Sequence, residues 1–294
     1  MKDGVDAATD NWVSQGIFRR GNRRIVNLRC ISVNFADLDY YKLPEHAGRP
    51  ADSVVRALKL ACADRGLRQP SLILDSGRGL QVKWLLDNAV PAAALPRWQA
   101  VQNEIGRQLA DFGADPQARD ASRVLRLERT TNAKAGRIVK VVDYQAVRYD
   151  FELLCLEVLP FTADEIHPQT SEQKQDRFES EVGAQPRDVA AGGMHHWGPR
   201  HLNWDRYQDL VRLAEIRGWD CAGVPEGARD TFLLWALNFF LGSQVVTNPR
   251  EFWFEAEALV ANYCPHWFEN WRSFMKSLYQ RVFELKTGVY RVSN

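Results

Sequence analysis

The sequence predicts an α+β protein in which a mixed or antiparallel sheet flanked by helices is followed by an all-helical bundle. Two observations predict the first part: strand-like β-branched runs that alternate with amphipathic helices, and a glycine-rich turn between two strands within residues 71–86. The third observation is the helical spacing of apolar residues in 201–294. We expect an α+β domain at 1–161 and a helical domain at 201–294. They are joined by a polar connector at 162–200.

The central element is a predicted core strand within residues 24–41. Its apolar residues are Ile25, Leu28, Ile31, Val33 and Phe35. Asp37 and Asp39 follow at its end, and side chains two residues apart on a strand share one face. A hard divalent ion such as Mg²⁺ relieves the repulsion between two such carboxylates, since it prefers oxygen ligands. The same pattern also occurs where a strand simply runs into a polar turn, so Asp-x-Asp alone does not identify a metal site.

A helix predicted from about Asp52 to Gly66 leads to a hairpin. Strand 71–75, the turn Ser76-Gly77-Arg78-Gly79 and strand 80–86 form this unit. Gln81 and Lys83 face one side of the second strand, and Val82 and Trp84 face the other. A Gln and a Lys beside a glycine-rich turn are typical of triphosphate binding, because backbone N–H groups add to the anion site. A plain solvent-facing strand is the alternative.

The next segment supplies more acidic and basic candidates. A helix predicted at 95–112 ends at Gly113, and residues 114–127 then alternate in charge around a short apolar run. Asp115 is a candidate third metal carboxylate, and the guanidinium groups of Arg123 and Arg126 suit phosphate oxygens. A polar loop at 130–134 and a strand at 137–143 follow. Residues 65–140 contain 13 Lys/Arg against 7 Asp/Glu, which indicates either a polyanionic partner or a solvated charged surface.

The remaining features concern location and the second half of the chain. Five scattered cysteines without a C-x-x-C pair argue against disulfides and a zinc ribbon, and we expect buried thiols in a cytoplasmic protein. The longest apolar run, 232–241, is too short to span a membrane, and no apolar signal segment begins the chain. Helices are predicted at 204–217, 232–241, 252–263 and 267–285. The adjacent His195 and His196 face different ways on any regular element, which argues against a shared metal.

Three groups of residues, in this order and spacing, resemble the motifs of the archaeo-eukaryotic primase superfamily, especially replication primases of the RepB type from plasmids and mobile elements. They are Asp37-x-Asp39, the segment 76–84, and Asp115-Pro116 leading to 120–127 with Asn132 and Lys134. The resemblance covers roughly residues 25–145. Many family members have His at the position of Gln81, and Pro-Gly-Thr is common where this chain has Glu128-Arg129-Thr130.

The resemblance implies a primase-type catalytic domain that makes short primers on single-stranded DNA by two-metal-ion nucleotidyl transfer. Its cofactor would be Mg²⁺ or Mn²⁺, held by Asp37, Asp39 and Asp115. Its partners would be a single-stranded DNA template, nucleoside triphosphates and a separate replicative helicase or initiator, with no membrane. The residues implied to bind the nucleotide are Ser76, Arg78, Gln81, Lys83, Arg123, Arg126 and Lys134.

Two other functions stay open at this point. One is an aspartyl-nucleophile phosphatase that uses Asp37, which would require parallel strands with crossover helices. The other is a non-enzymatic replication initiator that binds origin DNA through the helical domain. The chain contains no G-x-x-x-x-G-K-[ST] motif, so no helicase of that type is fused to it.

Overall fold

The core of the protein is a five-stranded antiparallel sheet with the strand order β2-β3-β5-β4-β9. The structure is a computed structural model that describes residues 5–159, 199–246, 249–268 and 271. Two smaller pairings, β1 with β6 and β7 with β8, are also antiparallel. The strands are β1 Trp12–Ser14, β2 Gly16–Phe18, β3 Leu28–Leu38, β4 Leu72–Asp75, β5 Leu80–Pro91, β6 Val124–Arg126, β7 Thr131–Asn132, β8 Arg137–Ile138 and β9 Lys140–Tyr144.

Of the α-helices in the described residues, three lie within residues 51–158 and four lie in the C-terminal half of the chain. They are α1 Ala51–Asp64, α2 Leu95–Gln108, α3 Phe151–Val158, α4 Pro199–Ile216, α5 Trp219–Ala222, α6 Arg229–Gly242 and α7 Pro249–Tyr263. The predicted α+β class with a helical C-terminal region is therefore confirmed. All pairings between the described strands are antiparallel, which argues against the fold that an aspartyl phosphatase would need.

Helix α2 packs on β3 and also forms side-chain hydrogen bonds to its backbone. The indole Nε1 of Trp98 donates to the carbonyl oxygen of Val33 at 3.0 Å. The Gln102 amide accepts from the Phe35 N–H at 3.1 Å and donates to the Phe35 carbonyl oxygen at 2.5 Å. Both side chains are almost fully buried, so these bonds replace contacts with water and hold the middle of β3 in place.

The C-terminal helices pack against the beginning of β3 and the segment before it. Glu255 on α7 accepts from the Val26 N–H at 3.0 Å, and the Asn262 amide donates to Asn27 Oδ1 at 2.5 Å. Arg19 forms an ion pair with Glu215 at 3.3 Å. Asp37 lies nine residues after Leu28, where β3 begins, and nine residues of strand at 3.3 Å each span roughly 30 Å. The helical region therefore packs far from the Asp-x-Asp end of β3.

Glu255 makes a pH-dependent contribution to this packing. Burial raises the pKa of its carboxyl group to about 6, although the Val26 N–H and Arg24 favour the ionised form. The native protein therefore binds this proton more tightly than the unfolded chain does, and the free energy of unfolding falls as pH rises from about 4.5 to 6. We expect Glu255→Gln, which keeps an acceptor for Val26, to remove up to about 2 kcal/mol of this fall. Urea unfolding of both proteins at pH 4.5 and pH 7 checks this, and equal pH dependence would contradict it.

The observed strands, helices and cysteine positions agree only in part with those predicted from the sequence. The lead-in before β3 contains the edge strand β2 and the short strand β1, whereas the strand predicted at 137–143 is divided at Val139. Helix α3 has no counterpart among the predicted elements. Cys62, Cys155 and Cys264 are buried free thiols as expected, but Cys221 is exposed, so the prediction of a core position is wrong for Cys221. Its segment, α5, is a four-residue helix on the surface.

Other predictions fall mainly outside the described residues. The connector at 162–200, the His195–His196 pair and most of the helix predicted at 267–285 lie there. The division of the chain into domains at 161 and 201 accordingly stays a prediction. No helix in the described part of the chain is both long and apolar enough to cross a membrane.

Candidate active site at the end of β3

The end of β3 and the segment after Gly113 are joined by backbone hydrogen bonds. The Asp115 N–H donates to the Asp37 carbonyl oxygen at 2.9 Å, and the Asp39 N–H donates to the Gly113 carbonyl oxygen at 2.8 Å. Gly113 has φ +76, and a Cβ added there would lie 2.9 Å from the Asp39 carbonyl carbon. Glycine permits both the left-handed backbone and this close approach. The fold thus brings Asp115 to the same edge as Asp37 and Asp39.

The three carboxylates share one electrostatic environment. The pKa of Asp37 is raised to about 6, first because the side chain is removed from water and then because Asp39 and Asp115 are negatively charged. The positive charges of Arg123 and Arg126 act in the opposite direction. A half-buried carboxyl that resists ionisation beside two like charges is a group that a bound cation would stabilise.

The donor set fits a hard divalent cation in its chemistry, but its side chains are not gathered around one point. Within the described ranges, no group of three or more His, Cys, Asp or Glu side chains is arranged to hold a metal ion. Asp39 Oδ2 instead pairs with Lys42 at 2.6 Å, and Asp115 Oδ1 accepts from the Gln117 N–H at 2.9 Å. Because the Lys42 side chain is 62% exposed, that ion pair is weak and easily exchanged. Binding of an ion by Asp39 and Asp115 would have to replace these contacts.

The glycine-rich turn of residues 76–79 lies directly against the end of β3. A Cβ added to Gly79 would be only 2.4 Å from the Leu38 carbonyl oxygen. The hydroxyl of Ser76 is used within the turn, since it donates to the Gly79 carbonyl oxygen at 3.0 Å and accepts from the Gly79 N–H at 3.3 Å. The guanidinium of exposed Arg78 donates to the Lys134 carbonyl oxygen at 2.6 Å. Ser76 therefore shapes the turn, while the Arg78 and Lys134 side chains lie on the surface beside it.

Gln81 and Lys83 share one face of β5, as predicted, and this is also the face of Asp37, but both side chains are buried. Gln81 is directly opposite Asp37 in the β3–β5 pairing. In the amide orientation that satisfies both partners, its nitrogen donates to the Arg126 carbonyl oxygen at 3.3 Å and its oxygen accepts from the Arg126 N–H at 3.1 Å. Gln81 thereby holds β6 over the sheet. In this arrangement its polar atoms are occupied by the protein backbone.

Lys83 is the more available of the two side chains. It lies opposite Phe35, two residues after Gln81 on the same face of β5, and is 9% exposed. Burial lowers the pKa of its amine to about 8, although the negative charge of Glu128 favours the protonated form. Lys83 forms no ion pair with any residue in the described part of the chain. A buried ammonium without a close counterion is a suitable contact for an anionic ligand.

Arg123 and Arg126 lie close enough to Asp37 to influence its pKa, but each already has an acidic partner. Arg123 pairs with Asp120 at 2.8 Å and donates to the Gln117 carbonyl oxygen. Arg126 pairs with Asp10, and its guanidinium lies 5.1 Å from the ring centroid of Trp12. Phosphate oxygens would have to compete with these carboxylates for either guanidinium.

Asp10 and Trp12, near the N-terminus, were not among the site residues predicted from the sequence. Strand β1 pairs with β6 so that Trp12 is opposite Arg126, more than one hundred residues later. Three residues of strand are too short for a periodic signal, and nothing in the local sequence indicates a partner at 124–126. The sequence offered one hint of a role for this segment, a tryptophan two residues after the acidic Asp10. Asn132 was named in the motif, and its side chain proves to donate to the Ser76 carbonyl oxygen at 2.5 Å.

An α+β protein with three aspartates at one end of its central strand, beside a glycine-rich turn, is the class that the fold and site define. No protein-family model matches the chain. The chain is similar to a replication protein of Clostridium perfringens, with 34% identity over 227 residues, which make up 77% of this chain and 50% of that protein. The chain thus spans about half the length of this curated relative.

Three similar solved structures are primases. The AEP domain of the cyanophage S-2L primase-polymerase is 22% identical with a TM-score of 0.39, and the match covers 51% of this chain and 70% of that chain. Primase RepB′ is 14% identical with a TM-score of 0.33, covering 87% and 72%. The catalytic domain of RepB′ in complex with initiator DNA is 14% identical with a TM-score of 0.29, covering 53% and 65%. TM-scores of this size carry no functional argument.

The similarity to the Clostridium perfringens replication protein over 77% of this chain agrees with the resemblance to replication proteins inferred from the motifs. Each of the three solved structures is described as a primase.

Proposed function

We propose that the protein is a DNA primase or primase-polymerase that synthesises short primers on single-stranded DNA during replication of a plasmid or mobile element. The observation that carries this proposal is that the fold brings Asp37, Asp39 and Asp115 to the same end of β3. Replication is supported by the similarity to a replication protein over 77% of the chain. A separate helicase or initiator would deliver the template.

The proposed reaction joins the 3′ oxygen of a primer to the α-phosphorus of a nucleoside triphosphate and releases pyrophosphate. Mg²⁺ or Mn²⁺ bound by the three carboxylates would activate the attacking oxygen and neutralise charge on the leaving group. The protein itself would position the reactants and balance the negative charge of the triphosphate. Lys83, Arg123 and Arg126 supply that positive charge, and the approaching phosphates would raise the pKa of Lys83 above about 8.

Incubation of the protein with single-stranded DNA, labelled nucleotides and each divalent ion tests the proposal. We expect templated products of two or more nucleotides with at least one nucleotide set. Asp64→Asn, on the exposed end of α1, removes a carboxylate that is not among the proposed ligands and serves as the matched control for Asp37→Asn. No products under any condition would overturn the proposal. Sequence-specific binding of duplex origin DNA in that case would favour the initiator alternative.

Lys83→Met tests whether the buried amine contacts the triphosphate. The change removes a desolvated charge and keeps a similar volume, so we expect no loss of thermal stability. The KM for the nucleotide is expected to rise about tenfold or more, which corresponds to about 1.4 kcal/mol of lost binding. Steady-state kinetics at saturating template measures this. An unchanged KM with a folded variant would remove Lys83 from the nucleotide site.

A further inference from the structure

The surface beside the glycine-rich turn carries an uninterrupted run of positive charge. Residues 129–142 contain Arg129, Lys134, Arg137 and Lys140 and no Asp or Glu. All four residues are exposed. We call residues 129–140, which comprise β7, β8 and their flanks, the basic hairpin. The chain as a whole has a net charge of only +1, so this concentration is local.

Backbone pairing gathers these side chains on one small unit. The Arg129 N–H donates to the carbonyl oxygen of Val139 at 2.8 Å, and Val139 directly precedes Lys140 in the sequence. Thr131 pairs with Ile138, and Asn132 pairs with Arg137. Arg78 adds a fifth cation, because its guanidinium donates to the Lys134 carbonyl oxygen at 2.6 Å.

The basic hairpin adjoins the candidate active site. A Cβ added to Gly77 would lie 2.9 Å from the Ala135 side chain, and one added to Gly79 would lie 2.4 Å from the Leu38 carbonyl oxygen. The turn of residues 76–79 is thus packed between the hairpin and the end of β3. A ligand that reaches Asp37 and continues past this turn would meet the hairpin cations.

The ion pairs of the hairpin leave most of its charge available. The one acidic contact of its cations within 4 Å, in the described residues, joins Arg137 to Asp75 Oδ2 at 3.9 Å, and the Arg137 side chain remains 60% exposed. Arg129, Lys134 and Lys140 form no such pair in the same part of the chain. Exposed cations with no acidic partner are typical of surfaces that bind a nucleic-acid backbone.

We propose that the basic hairpin binds the phosphate backbone of the single-stranded template next to the active site, without base specificity. The proposal rests on the proposed primase function and adds a surface to it. A single triphosphate needs only the cations assigned to the nucleotide, whereas the three additional exposed cations Arg129, Arg137 and Lys140 suit a longer polyanion. The partner is therefore a DNA strand, and its contacts are electrostatic.

The test compares two triple variants that lose the same charge. Arg129→Gln/Arg137→Gln/Lys140→Gln removes hairpin cations that have no assigned role in nucleotide binding. Arg29→Gln/Arg56→Gln/Arg212→Gln removes three exposed cations elsewhere and is the matched control. Binding of a labelled oligo-dT strand is measured by fluorescence anisotropy over a range of salt concentrations, without nucleotide or divalent ion.

We expect the hairpin variant to bind oligo-dT about tenfold or more weakly at moderate salt, with the slope of log K against log salt reduced by about 2. The control is expected to bind like the unmodified protein. Equal loss in both variants, or competition by inorganic triphosphate as strong as by the DNA strand, would overturn the proposal. Because Arg137 neighbours buried Asp75, the double variant Arg129→Gln/Lys140→Gln is measured as well, and it should retain about two thirds of the loss in slope.

Primer synthesis is assayed separately on the same proteins. If the unmodified protein makes primers and the hairpin variant binds DNA normally, the hairpin proposal fails and the primase function stands. If no primers form but the hairpin variant alone loses DNA binding, the hairpin surface stands and the primase function fails.

Discussion

Asp37→Asn is expected to abolish primer synthesis, with a loss of about 1,000-fold or more. The asparagine is nearly isosteric but carries no charge, so a divalent ion would lose one of its three proposed carboxylate ligands. Metal stabilisation of charge in a transition state is worth several kcal/mol, and each 1.36 kcal/mol corresponds to a factor of ten in rate. Primer synthesis on single-stranded DNA, with saturating nucleotide and divalent ion, measures the effect.

The stability of the same variant separates a functional carboxylate from a structural one. Because the pKa of Asp37 in the native protein is raised to about 6, its ionisation at neutral pH opposes folding. In metal-free buffer at pH 7, Asp37→Asn should therefore be at least as stable as the unmodified protein. Asp64→Asn should retain both activity and stability. Activity of Asp37→Asn within threefold of the unmodified enzyme would defeat the assignment.

Gly79→Ala is expected to destabilise the protein by about 2–3 kcal/mol. The added methyl group would lie 2.4 Å from the Leu38 carbonyl oxygen, and this neighbour is backbone in the central sheet, which cannot move as a side chain can. The φ angle of Gly79 is not in the left-handed region, so the expected effect is steric. Urea denaturation measures the change in the free energy of unfolding.

Gly21→Ala is the matched control for this prediction. Its added Cβ meets no atom within 4 Å, and its φ angle is likewise unremarkable for an L-residue. We expect a change below about 0.5 kcal/mol for the control. Activity should also fall in Gly79→Ala, since the turn must move away from the end of β3 that carries Asp37. A stable, fully active Gly79→Ala protein would show that this close packing is unnecessary.

Local pattern was sufficient to predict the elements that frame the site. Alternation of apolar and polar residues located β3 and β5, and helical spacing located α1, α2 and the C-terminal helices. The same alternation correctly placed Gln81 and Lys83 on one face of β5, whereas their position on the face of Asp37 follows from the β3–β5 register, which was not predicted. Burial of these two residues was not predicted, because it depends on β6, a strand more than 40 residues later. A three-residue strand that pairs with the distant strand β1 leaves no periodic trace in the sequence.

Long-range pairing explains the other gaps between sequence and structure. Asp10 and Trp12 acquire a role only through Arg126, and Glu255 acquires one only through the Val26 N–H. Neither contact has a local signature, since each joins residues more than one hundred positions apart. Glycine is the exception: Gly79 and Gly113 occupy predicted turn positions, and the structure supplies the reason in the backbone that each one approaches.

The central claim is that Asp37, Asp39 and Asp115 hold a divalent cation together, and calorimetric titration with Mg²⁺ or Mn²⁺ tests it most directly. The metal-free protein and its Asp37→Asn, Asp39→Asn, Asp115→Asn and Asp64→Asn variants are titrated in parallel. We expect saturable binding to the unmodified protein and to Asp64→Asn, and binding at least tenfold weaker in each of the other three variants. Equal affinity in all five proteins would contradict the claim.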